Sequence, residues 1–174
     1  MDCYFQNSKN LPFSIRKNVD IRSSEETTVH DSQIYEVLSA CHAEDIIDMC
    51  KNDVSTHITR LFSTSGIELS EGQHQKIAIS RVLFTNKSFA LFDEPSSSLD
   101  PEAEDEIFKA IGSLFAEKTV FFTSHRLTNL FLADKIMVLE NGKIMESGTK
   151  EELLKKRSRF FNLYQYQAVK FCEQ

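Results

Sequence analysis

The chain has 174 residues, 41% of them hydrophobic and 26% charged, with a formal net charge of −6. That is enough sequence for one domain with a real core, and too ordinary a composition for a disordered chain. The acidic balance excludes a general nucleic-acid or anionic-membrane surface, either of which needs an excess of Lys and Arg.

No apolar stretch approaches the roughly 18–20 residues of a membrane span, and the opening "MDCYFQNSKN" lacks the apolar core of a signal peptide. A soluble chain, free to dock on a membrane partner, is expected. Cys3, Cys41, Cys50 and Cys172 form no C-x-x-C pair, which suits free thiols in a reduced, cytosolic setting. The spacing of Cys41, His42, Cys50 and His57 matches no common zinc pattern.

In chain order, the first twenty residues carry Pro12 and many polar side chains and read as loop with some extended or turn structure. From Asp31 to Cys50, Ile34, Val37, Leu38 and Cys41 recur at helical spacing, and a second short helix with Ile46, Ile47 and Met49 follows. Residues 51–68 are polar, hold Gly66, and read as connection. Ser70 opens another helix, with Ile77, Ile79, Val82 and Leu83 apolar. Short apolar strands and helices then alternate: "FALF" (89–92), "PEAEDEIFKAIGSLFA", "TVFFTS" and "RLTNLFLA". "KIMVLE", "NG" and "KIMES" predict a β-hairpin on a type I′ turn. Thr149 and Glu152 form a capping box for a helix, and a last helix follows. The basic run "KKRSR" (155–159) reads as a solvated helix face.

This order predicts an α/β fold, a parallel sheet flanked by helices. In such sheets chemistry gathers at the carboxyl ends of the strands. Asp93 and Glu94 follow one strand and His125 the next, so all three are expected along one edge. A strand-end carboxylate suits Mg²⁺, and a neighbouring carboxylate can take a proton from water. The same pair is also an ordinary loop start or N-cap. "LSEGQHQKIAISRVL" (69–83) allows two readings as well. Ser70 with Gln73 is a capping box, while the helix N-terminus with Gly72 is an anion site. Asp100 and Pro101 make a sound helix start by themselves, and His125 could be a core histidine.

Taken together, these segments strongly resemble the nucleotide-binding domain of ATP-binding cassette proteins. "LSEGQ" resembles the family's signature motif, "FALFDEP" its Walker B strand, "SSLD" its D-loop and "SHR" its switch histidine. "FQNSKNLPFSIRKNV" is similar to the Q-loop and the exporter-type stretch after it, and "RFFNLYQYQ" to the end of exporter half-transporters. The resemblance implies Mg²⁺-dependent ATP hydrolysis coupled to transport through a membrane. Gln6 would sense Mg²⁺ and the γ-phosphate, Asp93 would hold Mg²⁺, Glu94 would be the general base, and His125 would contact the γ-phosphate. Ser70, Gly72 and Gln73 would complete the site of an opposing nucleotide-binding domain, with Ser98 and Asp100 bridging the two. Transmembrane domains would be the other partners, no nucleic acid is implied, and the location would be the cytoplasmic face of a membrane.

The sequence departs from the family in three places. Glu71 stands where glycine is usual and Lys76 where arginine is usual. The third departure is severe: no G-x-x-x-x-G-K-S/T is present, and the one Gly-Lys pair, Gly142-Lys143, precedes isoleucine in the hairpin. Three lost phosphate hydrogen bonds cost on the order of 5–9 kcal/mol, at least a thousandfold in affinity. The expectation is a partial P-loop NTPase-like core truncated before the Q-loop and inactive alone. It comprises a Q-loop segment (1–19), a helical subdomain with the signature (20–85) and the later part of the ATPase core (86–174). The alternatives are a non-catalytic subunit lending its signature and D-loop to a P-loop-bearing partner, and an inactive, decayed fragment.

Overall fold

The computed structural model describes residues 2–4, 10–22, 29–61, 63–85, 87–95, 101–124 and 126–172. The chain divides into two compact units, 1–123 and 124–174.

The first unit is built on a three-stranded parallel sheet: β1 (Asp2–Tyr4), β2 (Phe89–Phe92) and β3 (Thr119–Phe122), with β2 in the middle. Tyr4 and Phe122 both stand opposite Phe92 in register. The parallel sheet of the sequence reading is thus present, and β1 falls where loop with some extended or turn structure was expected. Three residues are too few to show a strand's alternation, and only pairing with β2 defines it. Within β2, Ala90 and Phe92 are fully buried. Helix α5 (Pro101–Leu114) lays Ile107 and Ile111, with Phe115 just beyond it, on the same core. Phe115 meets Phe92 edge-on at 5.4 Å, and Phe108 meets Phe122 at 5.3 Å, within the range where T-shaped ring pairs are favourable.

A helical cluster makes up the rest of this unit: α1 (Ile15–Val19), α2 (Asp31–Ala40), α3 (Glu44–Met49) and α4 (Glu71–Thr85). Helices α2 and α3 follow the apolar spacing of the sequence. Helix α1 was not expected, because five residues are too short for a periodic signal; Ser14 Oγ caps it by accepting from Lys17 N. Helix α4 links two cores. Its Ile77 joins Ile15, Ile34, Leu38 and Ile46, while Ala78, Ile79 and Val82 face the sheet core with Ala90 and Phe92.

In the second unit, β4 (Ile136–Glu140) and β5 (Lys143–Gly148) form an antiparallel hairpin. Asn141 and Gly142 turn it with φ of 48° and 74°, the left-handed pair that a type I′ turn needs. The Thr149–Glu152 capping box starts α6 (Lys150–Lys156), as its spacing predicts. Glu146 accepts from Arg159 N and Phe160 N at the start of α7 (Arg159–Cys172). Ile136, Leu153 and Phe160 form the unit's own core. The helix expected over "RLTNLFLA" is a 3₁₀ helix, Leu127–Leu132. Ser124 Oγ accepts from Arg126 N and from Asn129 Nδ2, and such local bonds compete with the α-helical ladder.

Candidate nucleotide site

Strand β2 delivers two acids to its carboxyl end. Its apolar residues are drawn into the core, and the chain then leaves the sheet at half-buried Asp93 and Glu94 and buried Pro95. Thr123, the residue after β3, holds both acids. Its N–H donates to Phe92 O at 2.9 Å, continuing the β2–β3 pairing past the end of the strand. Its hydroxyl donates to Asp93 Oδ1 at 2.8 Å and accepts from Glu94 N at 2.9 Å. Glu94 sits at φ 47°, in the left-handed region. That conformation costs a non-glycine residue on the order of 1–2 kcal/mol, and such strain gathers at functional sites. Nothing in the sequence singled out Thr123 beyond its being a polar residue closing an apolar strand.

The donor set suits a hard cation of the Mg²⁺ type. Such an ion takes one or two carboxylates and fills its other positions with water or phosphate oxygens. Among the described residues no cluster of three or more His, Cys, Asp or Glu that could hold a metal ion is formed. Asp93 keeps acceptor capacity beyond the Thr123 hydrogen bond, since an ionised carboxylate offers about four lone-pair sites.

A second group of predicted residues lies at the start of α4. Ser70 Oγ accepts from Gln73 N at 3.3 Å, and Gln73 Oε1 accepts from Ser70 N at 2.9 Å, so the capping box is formed. The other end of the Gln73 amide donates to Asp45 Oδ2 at 2.6 Å. Lys76 Nζ donates to His42 O at 2.6 Å and lies 3.9 Å from Asp45 Oδ1. The joint between α2 and α3 therefore holds the first turn of α4, with Gly72 half-buried in that turn. Asp45 carried no signal in the sequence, being one acid on a short helix. Gln6, Ser98, Asp100 and His125 lie outside the described residues.

His74 follows directly. Asn10 Nδ2 donates to His74 O at 2.9 Å and stands 3.0 Å from His74 Nδ1. Since Nδ2 carries only donors, the imidazole accepts at Nδ1 and is neutral in this contact. Burial holds the His74 pKa below the ordinary 6.5, against the opposing pull of Glu68 and Glu71. A cleft of about 330 Å³ opens elsewhere in the unit, lined by Met49, Lys51, Asp53, His57 and Ile67 among others. None of the residues assigned to the nucleotide site lines it.

Paired acids at the carboxyl end of a central parallel strand, with helices packed around it, make this an α/β protein, an arrangement consistent with the P-loop NTPase-like class. Comparison with known proteins narrows this. The family model described as ABC transporter matches residues 2–97. "Putative multidrug export ATP-binding/permease protein YgaD" of Bacillus subtilis (strain 168) is 35% identical over 154 residues, covering 88% of this chain and 25% of its own length. A protein of the same description from Staphylococcus aureus (strain bovine RF122 / ET3-1) is 35% identical over 140 residues, covering 80% of this chain and 24% of its own. Among solved structures, a bacterial Atm1-family ABC exporter with ATP bound superposes with a TM-score of 0.80 at 24% identity, covering 95% of this chain and 28% of that one. The chain belongs to the ABC transporter family, and it spans about a quarter of the length of the curated relatives it matches. Among the described residues, no helix is long and apolar enough to cross a membrane.

Proposed function

We propose that this chain forms part of the ATP-hydrolysing domain of an exporter, in which Mg²⁺-ATP hydrolysis drives a substrate through transmembrane domains. The observation that carries the reading is the end of β2, where one hydroxyl of Thr123 anchors Asp93 and Glu94 together. Asp93 would hold Mg²⁺, which when bound neutralises charge on the phosphates. Glu94, beside it, would take the proton of the attacking water. Ser70, Gly72 and Gln73, held at the start of α4, would face the nucleotide of an opposing domain. Gln6, Ser98, Asp100 and His125 take the roles that their motifs imply. The division into a Q-loop segment (1–19), a helical subdomain (20–85) and a later core (86–174) is part of this proposal. The names of the relatives, which join ATP binding and export, support it.

No G-x-x-x-x-G-K-S/T occurs in the 174 residues, and we propose that the phosphate cradle is supplied by a segment outside them. The chain by itself is proposed not to turn over ATP. The same fact favours a second reading, a non-catalytic subunit that lends its signature and D-loop to a P-loop-bearing partner. An antibody against residues 150–174, applied to native extract, separates the two. A band several times larger than a 174-residue chain supports a domain within a transporter subunit, and a band at 174 residues supports the separate subunit.

The enzymatic reading is tested by Glu94→Gln in the chain assembled with a P-loop-bearing domain. Removing a general base should lower turnover by about 10²–10⁴-fold while ATP binding persists. Unchanged turnover, or turnover and binding lost together, would remove Glu94 from that role.

A further inference from the structure

We infer that Thr123 is a positioning residue for the hydrolytic site, setting the Asp93 carboxylate and the Glu94 backbone through one hydroxyl. The inference rests on the proposed roles of Asp93 and Glu94 and adds a residue that carries no part in them.

The direction of both hydrogen bonds follows from chemistry alone. An ionised carboxylate only accepts and a backbone N–H only donates, so the hydroxyl proton points at Asp93 Oδ1 and a lone pair faces Glu94 N. The two contacts, at 2.8 and 2.9 Å, therefore use the donor and one acceptor site of the same oxygen. The mount is stiff. Thr123 is β-branched, which restricts χ1, and its own N–H is held by Phe92 O at 2.9 Å. Phe92 is fully buried against Phe115, so the platform beneath the acids is the centre of the sheet core.

The geometry answers a specific need. Glu94 stands at φ 47°, a conformation that an L side chain resists, and Thr123, at the end of the neighbouring strand, gives its amide a hydrogen-bond partner there. Asp93 needs a fixed carboxylate if a metal ion is to meet a preformed ligand. Thr123 serves both with a group that makes no contact with nucleotide in the proposed mechanism. Losing the hydroxyl would remove one hydrogen bond from the metal-ligand carboxylate and one from the backbone of the general base together.

The test is Thr123→Val beside Thr123→Ser, in the full chain assembled with a P-loop-bearing domain, with Glu94→Gln as the control. Val removes the hydroxyl at nearly constant shape, and Ser keeps it. Loss of one charge-assisted hydrogen bond should raise the Mg²⁺ concentration for half-maximal activation, and lower kcat, by about ten- to a hundredfold. ATP binding measured in EDTA should stay unchanged, and Ser should restore both parameters. Hydrogen exchange at the Glu94 amide provides a readout independent of turnover: it should quicken in the Val variant and return to normal in the Ser variant. The inference fails if Val matches wild type in kcat, Mg²⁺ activation and exchange, or if Ser is as impaired as Val. Should Glu94→Gln keep full turnover, the functional reading itself falls. A dead Glu94→Gln beside a normal Thr123→Val removes only Thr123.

Discussion

Arg81 donates from Nε to the main-chain oxygen of Asn18 at 2.7 Å and from Nη2 to the side-chain oxygen of the same residue at 3.3 Å. Asn18 is fully buried, and its amide also bonds Leu11 N, Leu11 O and Ser14 O. Nη2 reaches Asn10 Oδ1 as well, and Asn10 in turn bonds His74. The segment from Asn10 to Asn18 is thus fastened to two places on α4, the helix that begins with the proposed signature. Arg81→Met leaves the main-chain oxygen of Asn18 without the Arg81 donor and takes one of two donors from its Oδ1, where Leu11 N remains. The expected cost is about 2–3 kcal/mol, seen as a lower urea midpoint. A change under about 0.5 kcal/mol would show that the network is ornamental to stability.

His74 links this network to pH. Its folded pKa lies below the ordinary 6.5, chiefly because burial disfavours the charged ring. The unfolded chain therefore binds the proton first as pH falls, so stability drops with pH below 6.5 and flattens under the folded pKa. Above 6.5 both states are neutral and this residue contributes no slope. Urea titrations from pH 5 to 8 on wild type and His74→Gln isolate the effect by difference. The wild type should lose more stability on acidification, and parallel curves would contradict the neutral, Asn10-bonded ring.

Gly66 has a steric reason to be glycine. A Cβ built there would stand 2.1 Å from Thr59 O, a main-chain atom that cannot swing aside. Gly66→Ala should destabilise the first unit by about 1–3 kcal/mol through a forced backbone shift. Gly142→Ala makes a useful contrast, since nothing lies within 4 Å and only its φ of +74° resists. That variant should cost about 1 kcal/mol and act on the hairpin. Equal, negligible effects in thermal unfolding would argue against both accounts.

Cys41 should be a silent thiol. It is 3% exposed, and burial raises its pKa to about 11, so little thiolate exists near neutral pH. Iodoacetamide at pH 8 should leave it unmodified in the folded chain and label it fully in denaturant, read by peptide mass mapping. Rapid labelling of the folded chain would mean that the contact between α2 and α4 opens readily.

Much of the fold was legible because the signals are local. Ser70–Gln73 and Thr149–Glu152 are capping pairs three residues apart, and both form. Asn141-Gly142 turns the hairpin as its dipeptide predicts. The order of strands and helices was enough to predict a parallel sheet with Asp93 and Glu94 at a carboxyl end. Helix α1 escaped, and strand β1 was legible only as some extended structure within a loop, because elements of five and three residues are defined by what they pack against. The 3₁₀ turn replaced an α-helix because the Ser124 hydroxyl bonds nearby donors, an outcome that apolar spacing does not register.

By itself, the sequence determined which residues could do chemistry and at which ends of which elements they stand, because side-chain identity and periodicity are written along the chain. Only the tertiary structure decided what holds them. Thr123 lies 30 residues from Asp93, Asp45 28 from Gln73, and Asn18 63 from Arg81. A hydrogen bond acts over about 3 Å, and no spacing rule reaches across such separations. Those partners meet because β2 and β3 share a register and because α4 lies against both the helical cluster and the sheet.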